Sequence, residues 1–277
     1  MPSASNFRHQ HFSLKDRVVS FLSEALFDNL TYTVRHGLIQ GMKRKGGLGF
    51  LPAVFLSGGA HRHEEDFFQS LNLAGKVVFD IGAFHGIMTL FFARQAIAVV
   101  SYEPHPANFR RLQENVGLNH LQNVTVFNRG IGDSETLIEL ACDPLMPGAA
   151  SGDPAIISQI RDSIPQTQSI KIAVTRLDDE IKRNRLPLPD MVKIDVEGME
   201  LSALRGMPQL LAGHRPQLYL EMHGATERDK EEKTAAILDF LTQAGYKSIL
   251  HVETGKAITP SDISIARAGH LFCVAGK

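Results

Sequence analysis

The chain has 277 residues, of which 43% are hydrophobic and 21% are charged, and its formal net charge at pH 7 is −1. This length suits one sizeable domain with an appendage, and the near-neutral charge argues against a nucleic-acid partner. The cysteines Cys142 and Cys273 lack a C-x-x-C spacing, which argues against a zinc site or a disulfide framework and predicts a reducing, cytoplasmic environment.

Residues 1–54 are predicted to form a helical and basic extension in front of the main domain, residues 55–277. Ser13 and Asp16 form an S-x-x-D capping box, and apolar residues follow it at helical spacing. The basic, glycine-rich stretch 43–49 can contact an anionic membrane surface or a diphosphate-bearing substrate, although we favour a solvated connector. The sequence predicts no transmembrane helix and no signal peptide, so peripheral contact is the one membrane interaction left open.

From Val77 onward, apolar runs alternate with helical patterns. This alternation is typical of an α/β fold with a mostly parallel sheet and helices on both faces. Seven strands are predicted, at Val77 to Ile81, Ala98 to Tyr102, Val124 to Asn128, Met191 to Val196, Gln217 to Met222, Tyr246 to Val252 and His270 to Ala275.

Two further strand-like runs, Thr136 to Ala141 and Ser169 to Val174, lie between the third and fourth of these strands. Between them, the stretch Asp143 to Pro154 is rich in Pro, Gly, Ser and Asp. A structureless loop of this length is uncommon in a compact domain unless it has a function. We therefore predict that it is a substrate lid.

Two helix starts are also predicted. Pro106 suits the first position of a helix, where its missing N–H costs nothing. Thr175 and Asp178 form a capping box, which predicts a short helix through Lys182.

A glycine-containing turn follows the first predicted strand. It reads Asp80-Ile81-Gly82-Ala83-Phe84-His85-Gly86, and Glu103 closes the next strand. This order is the βαβ unit that binds nucleoside-containing ligands. The turn has fewer glycines than a dinucleotide motif, and a carboxylate at Asp80 would repel a diphosphate but suits a cation such as the sulfonium of S-adenosylmethionine. Glu103 is placed to accept hydrogen bonds from the ribose hydroxyls.

An alternative interpretation of this turn needs no cofactor. Gly82 and Gly86 would only relieve a crowded strand-to-helix turn, and Asp80 would cap the helix. A glycine turn alone would favour that interpretation. The second acidic residue, Glu103, favours the cofactor, because it stands at the place of a ribose-binding acid.

The fourth predicted strand ends in a charged motif, Lys193-Ile194-Asp195-Val196-Glu197-Gly198-Met199-Glu200. Alternation along an extended strand puts Lys193, Asp195 and Glu197 on one face. Ligands of open α/β sheets bind outside the carboxyl ends of the strands, which favours a functional site here. The alternative is a salt bridge of Lys193 with Asp195 or Glu197 that only satisfies charge.

The fifth predicted strand ends in Glu221-Met222-His223-Gly224, and Glu221 and His223 share a face. A histidine oriented by a carboxylate can act as general base for a hydroxyl proton, and a structural strand-end contact is the alternative. With Asp195 and Glu197 these residues also have the composition of a divalent cation site. No D-x-D or H-x-x-x-H spacing supports a metal, so no metal ligand is predicted.

Together these motifs resemble the FkbM-type S-adenosylmethionine-dependent methyltransferases. The resemblance covers roughly Phe55 to His223 and rests on Val78 to Ala83, Tyr102-Glu103-Pro104 with Asn108, Lys193 to Glu200, and Leu220 to His223. It implies the class I methyltransferase fold, a Rossmann-like sheet with strand order 3-2-1-4-5-7-6 and an antiparallel last strand. One departure is Phe84, which stands where the family commonly has Asn.

The resemblance also implies how S-adenosylmethionine is held. The glycine turn would line the methionine end, Glu103 would hold the ribose, and residues 128–132 would border the adenine. The expected cofactor residues are Asp80, Gly82, Ala83, Phe84, Gly86, Glu103, Pro104, Asn108, Asn128, Gly130 and Ile131.

The leading functional prediction is an O-methyltransferase that acts on a hydroxyl of a sugar, a glycolipid or a secondary metabolite. The acceptor would be a small molecule or a glycan, and His223 or Asp195 would remove its proton. The expected catalytic residues are His223, Asp195, Glu197, Lys193 and Glu221. N- or carboxyl methylation, which needs less help from a base, is one alternative. A protein that binds an adenosyl ligand without turnover is another.

Overall fold

The structure is a computed structural model that describes residues 29–46, 62–143, 146–163 and 167–276. The predicted helix after Ser13 and the predicted boundary at residue 54 lie outside these ranges. Within them, no helix combines the length and the apolar character that a bilayer crossing requires.

The described residues form nine helices and fourteen strands. The strands are β1 (Thr31–Thr33), β2 (Lys43–Lys45), β3 (Val77–Ile81), β4 (Ala98–Tyr102), β5 (Val124–Phe127), β6 (Gly130–Ile131), β7 (Thr136–Asp143), β8 (Met146–Ser151), β9 (Gln168–Thr175), β10 (Met191–Ile194), β11 (Gln217–Glu221), β12 (Tyr246–His251), β13 (Lys256–Ala257) and β14 (His270–Ala275). The helices are α1 (Arg62–Ser70), α2 (Ile87–Ala93), α3 (Pro106–Leu118), α4 (Pro154–Ser163), α5 (Leu177–Asn184), α6 (Glu200–Arg205), α7 (Pro208–Gly213), α8 (Glu227–Gln243) and α9 (Ile263–Ala266).

The main sheet contains all seven predicted strands, in the order β5-β4-β3-β10-β11-β14-β12, and the two-residue β13 extends it at one edge. Neighbouring strands from β5 to β11 are parallel, whereas β14 pairs antiparallel with both β11 and β12. This is the strand order that the resemblance implied. Four predicted strand ends run one or two residues too far, at Asn128, Val196, Met222 and Val252.

Helices cover both faces of the main sheet and bury its central strands. Phe79 of β3 packs into one hydrophobic layer with Leu204, whereas its neighbour Val78 packs into the opposite layer with Leu90. Successive side chains of a strand point to opposite faces, so both must be apolar when both faces are covered. A charged residue inside such a strand, like Lys193 of β10, needs partners within the protein.

The basic stretch that was predicted to be a solvated connector is, at Lys43–Lys45, a strand of the β1–β2 hairpin. Two asparagines of α3 and its C-cap hold it. Asn119 exchanges hydrogen bonds with the Lys43 backbone, and Asn115 Oδ1 accepts from Lys45 N, each at 2.8 Å. Asn115 Nδ2 donates in turn to His85 O at 2.8 Å.

The hairpin loop also belongs to the hydrophobic core. Ile39 and Met42 are buried in the same cluster as Leu90 and Phe68. Arg94 on α2 donates to the backbone carbonyls of residues 38 and 40. The hairpin is therefore packed on the main domain by side chains from both α2 and α3.

The stretch from Asp143 to Pro154 was predicted to be a structureless loop, and that part of the prediction was wrong. Its role as a substrate lid stays a prediction. The stretch contains β8, which pairs antiparallel with β7 and brings Ala141 opposite Ser151. α4 begins directly after it, and Asp153 Oδ1 accepts hydrogen bonds from the backbone N–H groups of Ala155 and Ile156. Small residues, Gly and Pro are typical of a turn. Here, however, β7 supplies the backbone hydrogen-bond partners with which this segment forms an edge strand.

The predicted capping box at Thr175 and Asp178 is also wrong. α5 begins one residue later than this motif requires, and its N-cap is Arg176. Asp178 instead accepts hydrogen bonds from Gln209 N at 2.7 Å and Leu210 N at 3.1 Å. A buried carboxylate from one helix thus caps another helix, α7, which is distant in the sequence.

Replacing Asp178 by Ala will remove this cap and leave two N–H groups of α7 without their partner. We expect the free energy of unfolding to fall by about 1–2 kcal/mol. Asp179→Ala is the control, because the Asp179 side chain makes no hydrogen bond to any residue that the structure describes and the residue is half-buried. Urea denaturation of both variants measures the difference, and equal losses would contradict the long-range cap.

Candidate active site

The glycine turn between β3 and α2 is pressed against the end of β10. Gly82 has a φ of +82°, and a Cβ atom on it would lie 1.7 Å from the carbonyl oxygen of Asp195. The backbone N–H groups of Gly82 and Ala83 both donate to Tyr102 O at 3.0 Å. At Gly86, the N-cap of α2, a Cβ atom would lie 2.5 Å from Leu112 Cδ1. Only glycine fits at these two positions, because each combines a left-handed backbone with a close neighbour.

Asp80 is fully buried at the end of β3. Its Oδ2 accepts a hydrogen bond from Thr89 Oγ1 at 2.6 Å, and Lys193 Nζ lies 3.7 Å from its Oδ1. Oδ1 has no hydrogen-bond partner among the described residues. Asp80 therefore contacts a helix side chain rather than the N-terminal N–H groups of α2, and it places a negative charge directly beneath the turn.

Glu103 follows β4 and faces the same turn. Oε2 accepts from Phe84 N at 2.8 Å, while Oε1 accepts from His105 N at 2.9 Å and from Asn108 Nδ2 at 3.4 Å. Burial raises the pKa of Glu103 to about 7, although the hydrogen bonds from His105 and Phe84 oppose that shift. The turn and the start of α3 thus fix the orientation of this carboxylate.

The remaining predicted cofactor residues differ in their exposure. Asn128 is exposed, and its amide donates to the carbonyls of Glu103 and Pro104 at 2.9 and 3.0 Å. Phe84 has a φ of +50° and stacks on His85, with ring centroids 3.7 Å apart. Ile131 is 3% exposed and packs in the core, so its side chain lines no surface.

Four carboxylates surround His223 just beyond the ends of β10 and β11. His223 Nδ1 lies 2.9 Å from Glu200 Oε1. Its Nε2 lies 3.4 Å from Glu221 Oε1, 3.5 Å from Glu197 Oε2 and 3.9 Å from Asp195 Oδ1. We call these five residues the His223 cluster. Glu200 was not among the predicted catalytic residues, although it closes the charged motif.

A tight turn, rather than an extended strand, brings Asp195 and Glu197 together. β10 ends at Ile194, and the predicted alternation through residue 197 is wrong because Glu197 and Gly198 have φ values of +50° and +103°. Ser151 Oγ at the end of β8 donates to Glu197 O at 2.6 Å. A Cβ atom on Gly198 would lie 2.6 Å from Ile156 Cδ1. The segment that contains β8 and α4, which we call the β8–α4 insertion, therefore supports the backbone of the cluster.

Lys193 links the glycine turn to the His223 cluster. Its Nζ lies 3.1 Å from Asp195 Oδ2 and 3.7 Å from Asp80 Oδ1. Burial lowers the pKa of Lys193, but the carboxylates of Asp195 and Asp80 outweigh that effect and raise it. The salt bridge that the sequence offered as the alternative to a functional site is therefore present, and it lies inside the candidate site.

The cluster also changes the proton affinity of its own members. Burial and Glu221 raise the pKa of Asp195 to about 6, against the effect of Lys193. Burial lowers the pKa of His223, but Glu197, Glu221 and Glu200 outweigh it and raise this pKa well above its ordinary value. At neutral pH the cluster therefore combines an ionised Asp195 with an imidazolium.

A second histidine, which the sequence reasoning missed, lies beside the cluster. His270 opens β14 opposite Glu221, whose Oε2 lies 3.6 Å from His270 Nε2. Its Nδ1 contacts Glu253, and Glu64 of α1 lies 3.6 Å from Nε2. Burial lowers the pKa of His270, but Glu221 and Glu253 raise it to about 10. His270 lies next to Glu221 only because of the register in which β11 and β14 pair antiparallel, and the sequence reasoning did not predict that register.

Comparison with known proteins adds a family to this geometry. A family model described as the methyltransferase FkbM domain matches residues 80–248, more than half of the chain. Methyltransferase 1 of Beauveria bassiana is 27% identical over 143 residues, which cover 47% of this chain and 57% of that protein. Hexuronic acid methyltransferase AglP of Haloferax volcanii is 30% identical over 135 residues, which cover 49% of this chain and 51% of that protein. The chain thus spans just over half the length of these relatives.

A crystal structure of a methyltransferase FkbM from Methylobacillus flagellatus is also similar. It is 21% identical, with a TM-score of 0.46, and the match covers 74% of this chain and 45% of that chain.

Replacing Gly82 by Ala tests the contact between the glycine turn and Asp195. We expect a loss of about 2–5 kcal/mol in the free energy of unfolding, which combines the left-handed backbone with steric overlap. Gly75→Ala is the matched control, because Gly75 has a φ of +71° but nothing within 4 Å of an added Cβ atom. That variant should lose only about 1–2 kcal/mol, the backbone contribution. Similar losses in urea denaturation of the two variants would refute the close contact.

Proposed function

The chain belongs to the methyltransferase FkbM domain family, and we propose that it transfers the methyl group of S-adenosylmethionine to a hydroxyl of a sugar, a glycolipid or a secondary metabolite. One observation carries the proposal: the glycine turn contacts Asp195 directly, so a cofactor held at the turn lies beside the His223 cluster. In-line transfer needs the acceptor oxygen and the methyl carbon side by side in a site that excludes water.

The residues around the glycine turn fit this cofactor. Gly82 and Gly86 let the turn lie directly against Asp195 and Leu112, so a ligand at the turn is beside the end of β10. Glu103 Oε2 accepts one hydrogen bond from the protein, from Phe84 N, and keeps a lone pair for a ribose hydroxyl. The buried charge of Asp80 favours a cationic sulfonium over a diphosphate. When bound, the cofactor supplies an activated methyl group, and the chain's own residues orient it.

Proton removal from the acceptor falls to Asp195 in this proposal. His223 is the weaker candidate of the two that the sequence named, because the surrounding carboxylates keep its imidazole protonated. Asp195 directly follows β10, and its pKa of about 6 leaves its carboxylate mostly ionised at neutral pH. Its backbone carbonyl lies against the glycine turn. As the acceptor oxygen attacks, Asp195 would take up its proton, and the bound cofactor would supply the methyl group and leave as S-adenosylhomocysteine.

The charge of the cluster bears on the choice of acceptor. Four carboxylates face one imidazolium and the ammonium of Lys193, so a negatively charged acceptor group is disfavoured at this point. This argues for a neutral hydroxyl and against a carboxylate as the methylated group. One relative is named for hexuronic acid, a sugar that carries hydroxyl groups and a carboxylate, which supports a sugar as the acceptor class and keeps carboxyl methylation as an alternative. The same charge favours an amine, which makes N-methylation the second candidate.

Isothermal titration with S-adenosylhomocysteine tests the cofactor part of the proposal. We expect the wild-type chain to bind it and not to bind NAD. Glu103→Gln should weaken binding by about 1.5–3 kcal/mol, the contribution of a hydrogen bond to a charged group.

Because Glu103 also holds the backbone of the turn, the 2′,3′-dideoxy analogue of the ligand serves as the control. The wild type should bind this analogue more weakly than S-adenosylhomocysteine. The Glu103→Gln variant should bind the two ligands with nearly the same affinity. Equal losses in both proteins would show that Glu103 acts only on the turn. Absence of any binding by the wild type would refute the cofactor.

Asp195→Asn tests proton removal. We expect kcat for methylation of a hydroxyl acceptor to fall by about 10²- to 10⁴-fold with little change in affinity for S-adenosylhomocysteine, because a general base acts on the transition state. Asp190→Asn is the matched control, since Asp190 precedes the same strand at its opposite end and pairs with Lys76. Full activity of Asp195→Asn would exclude this base and favour an amine as acceptor.

A further inference from the structure

We propose that Asp195, Glu197 and His223 form a binding site for a divalent first-row metal ion, with Mn²⁺ as the probe of choice. Each residue offers one ligand atom, and these atoms lie within 4.8 Å of one another. Among the residues that the structure describes, no other group of three His, Cys, Asp or Glu side chains meets this condition. No spacing in the sequence signals a metal, because Asp195 and Glu197 lie in the turn after β10 whereas His223 follows β11.

The separations within the group suit a single ion. His223 Nε2 lies 3.5 Å from Glu197 Oε2 and 3.9 Å from Asp195 Oδ1. A tetrahedral ion with metal–ligand bonds of about 2.0–2.1 Å separates its ligand atoms by about 3.3 Å. These two separations need inward shifts of only a few tenths of an ångström, and the Asp195 and Glu197 ligand atoms, which lie within 4.8 Å of each other, approach by up to about 1.5 Å to close the group. Three protein ligands leave at least one coordination position open.

The surroundings of His223 orient it as metal-binding histidines are oriented. Its Nδ1 side faces Glu200 Oε1 at 2.9 Å, and Glu200 is 1% exposed. The same oxygen accepts a hydrogen bond from Gly198 N at 2.9 Å, which fixes the carboxylate. A carboxylate on the far nitrogen sets the tautomer and ring orientation of a ligating histidine. Nε2 then faces Asp195, Glu197 and, at 3.4 Å, Glu221 Oε1, and the structure shows no well-formed hydrogen bond of Nε2 within its described residues.

The ligand types select the ion. One imidazole nitrogen and two carboxylate oxygens match Mn²⁺ and Zn²⁺, whereas Ca²⁺ takes six to eight oxygens and Mg²⁺ prefers carboxylates and water. The excess of carboxylates also favours a cation, because burying like charges close together is costly unless a positive charge offsets them. The ion takes the place of the proton on His223 Nε2.

This site deepens the proposed function, and its role in catalysis rests on that function. The bound ion holds the acceptor hydroxyl at its open position, next to the glycine turn. Asp195 coordinates through Oδ1 and keeps Oδ2, which lies 3.1 Å from Lys193 Nζ, to accept the hydroxyl proton. The metal lowers the pKa of the hydroxyl that it binds, so the transfer of the proton to a carboxylate is easier.

Titration of the full chain with Mn²⁺ after removal of metals by a chelator tests the site. Calorimetry and electron paramagnetic resonance of free Mn²⁺ should both report one bound ion per chain. His223→Gln and Glu197→Gln should each weaken binding by at least tenfold, and Glu200→Gln by about 10- to 100-fold through the loss of its orienting contact. Thermal melting of each variant identifies any that fails to fold. If His223→Gln or Glu197→Gln does not fold, the metal affinity of the other of these two variants tests the site.

His270→Gln is the matched control, because His270 is also surrounded by carboxylates but belongs to no such group of three. It should bind Mn²⁺ like the wild type. No binding of Mn²⁺ or Zn²⁺ by the wild type up to millimolar concentration, or binding that survives the loss of His223, overturns the metal site.

A separate titration with S-adenosylhomocysteine distinguishes this failure from a failure of the proposed function. Cofactor binding without metal binding refutes the metal site alone. Metal binding without cofactor binding refutes the methyltransferase proposal and leaves the metal site standing.

Discussion

The close approach of Gly82 to the carbonyl oxygen of Asp195 is the contact on which the rest of the site depends. It joins the turn after β3 to the end of β10, two neighbouring strands that are far apart in the chain. Any side chain at position 82 would push these two segments apart. Lys193 completes the connection, since its ammonium group lies near the carboxylates of both Asp80 and Asp195. The glycine turn and the His223 cluster are therefore held in a fixed position relative to each other.

The second support comes from the β8–α4 insertion. Glu197 has a left-handed backbone, which is costly for a residue with a side chain and persists only where the surroundings impose it. Ser151 holds its carbonyl, and Ile156 fills the space beside Gly198. This segment, which was predicted to be a structureless loop, forms a strand and the start of a helix that contact the backbone of the cluster. Backbone strain at Glu197 is thus balanced by packing from an element that the main sheet does not contain.

Sequence reasoning was reliable where one local pattern determines the structure. The apolar runs correctly predicted the strands β3, β4, β10 and β11. Because the carboxyl ends of parallel strands lie at the same edge of a sheet, Asp195 and His223 were correctly expected to lie close together. It failed where the partner comes from elsewhere in the chain. Asp178 caps a helix that begins thirty residues later, as its bonds to Gln209 and Leu210 demonstrate.

The same limit explains why Glu200 of the cluster and its neighbour His270 were missed. Glu200 meets His223 only because the chain reverses at Gly198, and His270 faces Glu221 only through the antiparallel register of β14. Neither a reversal of the chain direction nor the pairing register of two strands produces a periodic pattern in the sequence. The resemblance implied that Ile131 borders the adenine, but its side chain is 3% exposed and packs in the core, so only its backbone is left for such a contact.

The docking of the β1–β2 hairpin has a practical consequence for anyone who shortens this protein. The amide of Asn115 binds Lys45 on one side and the carbonyl of His85, within the glycine turn, on the other. A fragment trimmed to begin at residue 55, where the sequence suggested a boundary, would leave that amide half-paired and uncover the core around Leu90 that Ile39 and Met42 now seal. Residues 29–46 are therefore part of the folding unit, and a truncated fragment would be a poor reagent for measuring how the intact chain binds its ligands.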